Sequence, residues 1–161
     1  MDLLLKKFLC RIEFDSYEDF KENYRVNVPE DFNFGFDVVD AWAEAEPEKK
    51  ALVWCDEEDN EKVFTFTEIK RLSNKAANFF KSLGVKKGSV VMLILRRRWE
   101  YWICATALHK LGTVLIPGTL QLTKKGILYR GHAAKVCPVV CVNDPFVVQQ
   151  VEAAEGDIPS L

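Results

Sequence analysis

The sequence predicts an α/β fold, a mostly parallel sheet with flanking helices. Three stretches carry that prediction. Residues 90–95 (VVMLIL) form a short apolar run after a Gly-containing turn, which suits a strand buried on both faces. Residues 99–111 (WEYWICATALHKL) are long enough for a helix, with Trp102, Ala105 and His109 spaced to share one side. Residues 114–116 (VLI) resume as a second apolar strand and break at Pro117-Gly118-Thr119. Strand, helix and strand with short connections make a parallel crossover unit. Gly112 marks the end of its helix, since a left-handed residue there costs least when it is glycine.

Length and composition bound the rest. The chain has 161 residues, one domain's worth, and a domain of that size buries roughly 70% of its unfolded surface. Hydrophobic residues make up 48% and charged residues 29%, as in an ordinary globular protein. A formal charge of −2 argues against nucleic acid as a partner. The five cysteines are scattered and none forms a CxxC pair, so reduced thiols and a cytoplasmic location are expected. No run reaches the ~18 apolar residues of a membrane span. At the N-terminus, MDLLLKKFLCRIEF has an apolar block too short for a signal peptide. It reads as an amphipathic helix with Leu4, Leu5, Phe8, Leu9 and Ile12 on one side, expected to pack on the body of the protein or on a partner copy.

Taken in order, Ser16 should cap a helix over residues 17–24, with Tyr17, Phe20 and Tyr24 at helical spacing. Pro29 and its polar neighbours form a link. A helix over residues 34–45 should turn Phe36, Val39, Trp42 and Ala43 inward. Residues 51–55 and 62–66 read as a β-hairpin joined by DEEDNE, which lacks the Gly and the terminal-Glu spacing of a calcium loop and is a solvated turn. Thr65 with Glu68 is a capping box. The helix it opens should bury Ile69, Leu72, Ala76, Phe79, Phe80 and Leu83 and close at Gly84. After Pro117, Thr123 should cap a helix reaching Ala134. Residues 136–142 (VCPVVCV) form a strand that Pro138 should leave incompletely paired or at an edge. Asp144-Pro145 opens a last helix over residues 146–155.

The motifs of phosphate chemistry are missing. There is no G-x-x-x-x-G-K-[ST] and no G-x-G-x-x-G after a strand. The turn after Leu95 is Arg96-Arg97-Arg98, with no glycine to cradle a phosphate. These arginines beside Trp99, Tyr101 and Trp102 resemble a basic-aromatic patch. The preferred reading is the polar side of a strand-to-helix junction, with the aromatics turned into the core. His109 and His132 have no triad partner in reach by sequence and are read as structural. Cys137 and Cys141 are read as apolar thiols too far apart along a strand to bridge. The one candidate site is the loop Gly118-Thr119-Leu120-Gln121. Gly118 permits close backbone approach, Thr119 and Gln121 offer donors and acceptors, and the loop follows a parallel strand, where such sheets present ligand groups.

The phrase VLIPGTLQLTKKGILYR, preceded by WEYW and LHKLG, together with FNFGFDVVDAWAE and LGVKKGSVVMLIL, resembles the AMP-forming acyl-CoA synthetases of the adenylate-forming superfamily. The acetyl and medium-chain types are most similar. The resemblance covers most of the chain from about Tyr17, and the chain looks like the first quarter or so of such an enzyme. It implies residues 1–33 as an N-terminal helical extension and residues 34–161 as the first portion of the large domain. For the whole enzyme it implies ATP, coenzyme A and Mg2+, with a small carboxylic acid as substrate. It also implies that Gln121, with Gly118 and Thr119, lies near the path of coenzyme A. The phosphate loop and catalytic lysine of the family match no position here, so no catalytic residue is carried over and no cofactor is expected on this chain alone. The alternative is a stand-alone α/β binding module without adenylation activity. Because later segments complete the sheets in this family, the apolar residues 136–142 and the helix after them should be bare here, and self-association is expected through them or through the N-terminal helix.

Overall fold

The computed structural model describes residues 2–161. Helix α1 (Asp2–Phe8) stops short of the amphipathic helix expected to reach Ile12. The reason is a competing partner: Leu9 bridges antiparallel to Val26, and Asn27 N–H donates to the Phe8 carbonyl at 2.7 Å. Helix α2 (Tyr17–Asn23) is capped as expected, with Ser16 Oγ accepting from Asp19 N–H at 3.1 Å. Phe14, Phe20 and Tyr24 stack into a satellite cluster beside it, Phe20 and Tyr24 with ring centroids 4.8 Å apart. Lys7 Nζ, 2.8 Å from Asp37 Oδ1, ties this region to the body.

The helix expected over residues 34–45 divides in two. Gly35–Asp40 is a π-helical turn and Ala41–Ala45 is helix α3. The wider turn brings the consecutive residues Val39 and Asp40 both inside, each 7% exposed. Phe36, expected inward, is exposed. Trp42 stacks on Phe66 at 5.6 Å and carries the Lys49 ammonium 3.9 Å over its ring.

Strands β1 (Lys50–Cys55) and β2 (Glu61–Thr65) form the antiparallel hairpin. Its loop is closed on itself: Asp56 accepts from the Glu58 and Asn60 amides and from Asn60 Nδ2, each at 2.9 Å. Those bonds, the Asn60 side chain foremost, hold the Asp56 carboxyl below its ordinary range. Helix α4 (Phe66–Ser82) starts on the capping box, with Thr65 Oγ1 and Glu68 Oε2 satisfying each other's backbone amides. Ile69, Ser73, Ala77 and Phe80 are its buried residues. Phe79 and Leu83, expected inside, are exposed.

Beyond α4 come β3 (Val90–Ile94), α5 (Trp99–Lys110), β4 (Val114–Pro117), α6 (Lys124–Ala134), β5 (Val139–Cys141) and α7 (Pro145–Glu155). The three strands form one sheet in the order β4-β3-β5, all parallel, as the sequence predicts. The centre strand feeds both faces by alternation. Val91, Leu93 and Leu95 join Phe80 of α4 and Ala107 and Leu108 of α5. Met92 and Ile94 join Ile127 of α6 and Val147 and Ala154 of α7. A third cluster, Val39, Ile69 and Ile103, seats the hairpin residues Leu52 and Phe64 against α4 and α5. β5 is shorter than residues 136–142 and lies at an edge, in keeping with Pro138. Backbone bonds still run beyond it, from Cys137 N–H to the Val90 carbonyl (2.8 Å) and from Val142 N–H to the Ile94 carbonyl (3.0 Å). Among the described residues, no helix is long and apolar enough to cross a membrane.

Candidate functional site

The loop after β4 sits at the carboxyl end of the parallel sheet. Gly118 N–H donates to the Leu93 carbonyl at 2.8 Å, extending the ladder one residue past β4. A Cβ there would stand 2.8 Å from Ile94 Cγ1 and 3.0 Å from Leu122 Cδ1. Gly118→Ala should therefore push those side chains aside and cost about 1–3 kcal/mol in denaturant unfolding; a change under about 0.5 kcal/mol would show that the loop has room. Thr119 is exposed, and its carbonyl accepts from Leu122 N–H at 3.2 Å, closing a turn with Leu120 and Gln121 at its corners. Leu120 and Leu122 anchor the turn in the apolar cluster under α6. Gln121 is exposed, and its amide has no hydrogen-bond partner among the described residues.

Gln121 does not serve the following helix. Thr123 is the N-cap of α6 but makes no side-chain cap bond. Instead, Gln150 of α7 reaches across, its Oε1 accepting from Lys124 N–H at 2.8 Å. The amide of Gln121 is thus left to face solvent at the strand end, free to accept or donate to a ligand.

At the same end of the sheet, Arg96, Arg97 and Arg98 are all exposed. Arg96 pairs with Glu57 at 3.1 Å and Arg98 with Glu100 at 3.0 Å, while the Arg97 carbonyl accepts from Trp54 Nε1 at 2.8 Å. These contacts engage the Arg96 and Arg98 side chains with the hairpin and the start of α5, while Arg97 contributes its backbone carbonyl alone. The aromatic half of the expectation divides: Trp99 packs on Phe64 at 5.1 Å, but Trp102 is 54% exposed. Its neighbour Ile103 takes the inward position, and one residue along a helix turns the side chain by about 100°. His109 is exposed, its ring edge-on to Phe34 at 5.7 Å; His132 is exposed too. All five cysteines are free. Burial, then the charge of Glu100, pushes the Cys104 thiol up to about 11, and burial raises Cys141 as well. Neither is poised as a nucleophile.

Sequence reading misses one polar cluster. Lys110 Nζ lies 2.7 Å from Asp40 Oδ1 and 2.7 Å from Asn74 Oδ1, with the Phe36 ring 5.5 Å away. The side chains of Lys110 and Asp40 are 2% and 10% exposed. Gly35 makes room for the lysine stem, for a Cβ there would be 2.5 Å from Lys110 Cγ. A signal was present: Lys110 falls seven residues after Ile103, on the inner stripe of α5, where a charge demands a buried partner. The cluster joins α5, α4 and the π-helical turn with its ion pair buried, so its work is architectural.

The residues present do not fit ATP or its metal. The turn between β3 and α5 offers no glycine-rich cradle, and among the described residues no group of three histidine, cysteine or carboxylate side chains could hold a metal ion. No step of phosphate chemistry is assigned to these residues.

Comparison with known proteins adds what the geometry lacks. Residues 39–160 match the family model described as AMP-binding enzyme. Acyl-coenzyme A synthetase ACSM3, mitochondrial, of Mus musculus is 40% identical over 154 residues, covering 92% of this chain and 26% of that protein. The Homo sapiens protein of the same name is 40% identical over 128 residues, covering 76% and 22%. The chain therefore spans about a quarter of the length of the curated relatives it matches. A solved Mycobacterium tuberculosis fatty acyl CoA synthetase superposes with a TM-score of 0.66 over 75% of this chain and 24% of that one. At 21% identity, that likeness speaks for the fold.

Proposed function

The chain belongs to the AMP-binding enzyme family, and from that membership we propose that it is the N-terminal portion of an ATP-dependent acyl-CoA ligase. The whole protein would join a carboxylic acid to ATP with release of pyrophosphate, then transfer the acyl group from the adenylate to coenzyme A with release of AMP. Mg2+ would accompany the ATP. The acid is proposed to run from acetate to medium-chain or branched acids. The observation that carries this reading is the match of residues 39–160 to the family. Formation of acyl-CoA from acetate, butyrate or octanoate by the protein expressed with the coding sequence that follows Leu161 tests it. Absence of acyl-CoA with all three acids would overturn it.

Gly118, Thr119 and Gln121 are proposed to border the coenzyme A path. The support is their place at the carboxyl end of a parallel strand and the unengaged amide of Gln121. In the whole enzyme, Gln121→Ala should raise the KM for coenzyme A about 2- to 12-fold, the loss of one neutral hydrogen bond, and leave that for ATP unchanged. Equal changes in both constants would remove Gln121 from that path.

The isolated 161-residue chain is proposed to be inactive and to self-associate. The apolar stretch 136–142, with exposed Phe79, Leu83 and Phe146 near it in the fold or the chain, supports self-association. A cytoplasmic location is proposed from the five unpaired thiols.

A further inference from the structure

The turn that carries Gln121 stands where the connections of the sheet reverse. After β3 the chain leaves to α5, on the face of Val91 and Leu93. After β4 it leaves to α6, on the face of Met92 and Ile94. Adjacent strands whose connections part to opposite faces open a crevice at their carboxyl ends, where open α/β sheets bind ligands. Leu120 and Leu122 seat the apolar side of the turn, in the cluster that also holds Val147 and Val151 of α7. The polar side has two ties to the α7 region, both at Lys124. Lys124 Nζ lies 2.8 Å from Asp157 Oδ2, but both groups are half-exposed and the ammonium ends a long stem, so the pair holds the main chain weakly. Gln150 Oε1 instead accepts from Lys124 N–H at 2.8 Å. That amide is one of the helix-start donors with no partner inside the helix, and Thr123 leaves it uncapped. The bond acts on the backbone itself, three residues after Gln121.

We propose that Gln150 is a positioning residue for coenzyme A binding: by holding the main chain at Lys124, it sets where the Gln121 amide stands in the crevice. The inference rests on the coenzyme A path proposed above and adds the residue that places its polar group. A binding group is only as good as the shell that holds it, and a turn about 1 Å too loose loses its hydrogen bond. Gln150 acts through the turn, so its contribution cannot exceed that of Gln121 itself. The task needs an acceptor oxygen at the end of a two-methylene stem. Glutamate supplies one, and its charge suits a helix N-terminus. Leucine fills similar space and supplies none.

Steady-state kinetics and residue-resolved hydrogen exchange on the whole protein test this, with Gln150→Leu, Gln150→Glu, Gln121→Ala and the double variant Gln121→Ala/Gln150→Leu. Gln150→Leu should raise the KM for coenzyme A about 2-fold or more, by no more than Gln121→Ala does, and leave that for ATP unchanged. Gln150→Glu should behave as wild type. The double variant should match Gln121→Ala alone, because a residue that acts through Gln121 has nothing left to place. The Lys124 amide should exchange about 2- to 12-fold faster in Gln150→Leu and be restored in Gln150→Glu. If Gln121→Ala separates the two constants but Gln150→Leu leaves both unchanged, raises both, or adds to the double variant, the coenzyme A path stands and this inference is overturned. A Lys124 amide indifferent to Gln150→Leu also overturns it. If Gln121→Ala moves both constants equally, the path itself falls and Gln150 has no group to position.

Discussion

Asp40→Ala should destabilise the chain by about 3–5 kcal/mol, because it strands a buried ammonium. Lys110 has its side chain 2% exposed, and Asp40 is its only carboxylate partner among the described residues. Asn74 would remain, but an amide oxygen neutralises no charge. The loss measures the unpaired lysine, not the worth of the pair. A second variant separates the two: Asp40→Leu with Lys110→Met removes both charges and should recover most of the stability, since apolar groups of similar volume often replace a buried pair at little cost. Urea unfolding of the three proteins, at equal chain concentration, checks it. A loss below about 1 kcal/mol for Asp40→Ala would mean that water reaches Lys110 and that the cluster is not sealed.

Phe80→Ala should cost about 3–5 kcal/mol, the usual range for removing a buried ring from a packed core. Phe80 is 2% exposed and shares its cluster with Val91, Leu93 and Leu108, at the contact of α4 with the centre strand. Its neighbour Phe79, 61% exposed, should cost less than about 1 kcal/mol as Phe79→Ala when the chain is dilute enough to be monomeric. The contrast is the informative result. Similar losses at both positions would mean that Phe79 is also covered in the monomer.

The parallel unit was legible because a strand buried on both faces has to read as an unbroken apolar run, and residues 90–95 do. The capping box at Thr65 and Glu68 was legible because its chemistry is local. What escaped depended on partners distant in sequence. Helix α4 has more apolar residues than one stripe can bury, and nothing local says that Phe80 faces the sheet while Phe79 and Leu83 are exposed. The π-helical turn needs Gly35 against Lys110, residues far apart in the chain. The candidate loop was half legible. A glycine after a strand announced the close approach at Gly118, but only packing shows that Gln150, not Gln121, caps α6 and so leaves the Gln121 amide open.

The most direct test of the central claim is carboxylate-dependent exchange of labelled pyrophosphate into ATP, which reports the adenylation half-reaction without coenzyme A. Two proteins are compared: the 161-residue chain and the same chain continued through the coding sequence after Leu161. The account predicts exchange by the continued protein that requires acetate, butyrate or octanoate, and none above background by the 161-residue chain. Acid-dependent exchange by the 161-residue chain, or none by the continued protein with all three acids, would contradict it.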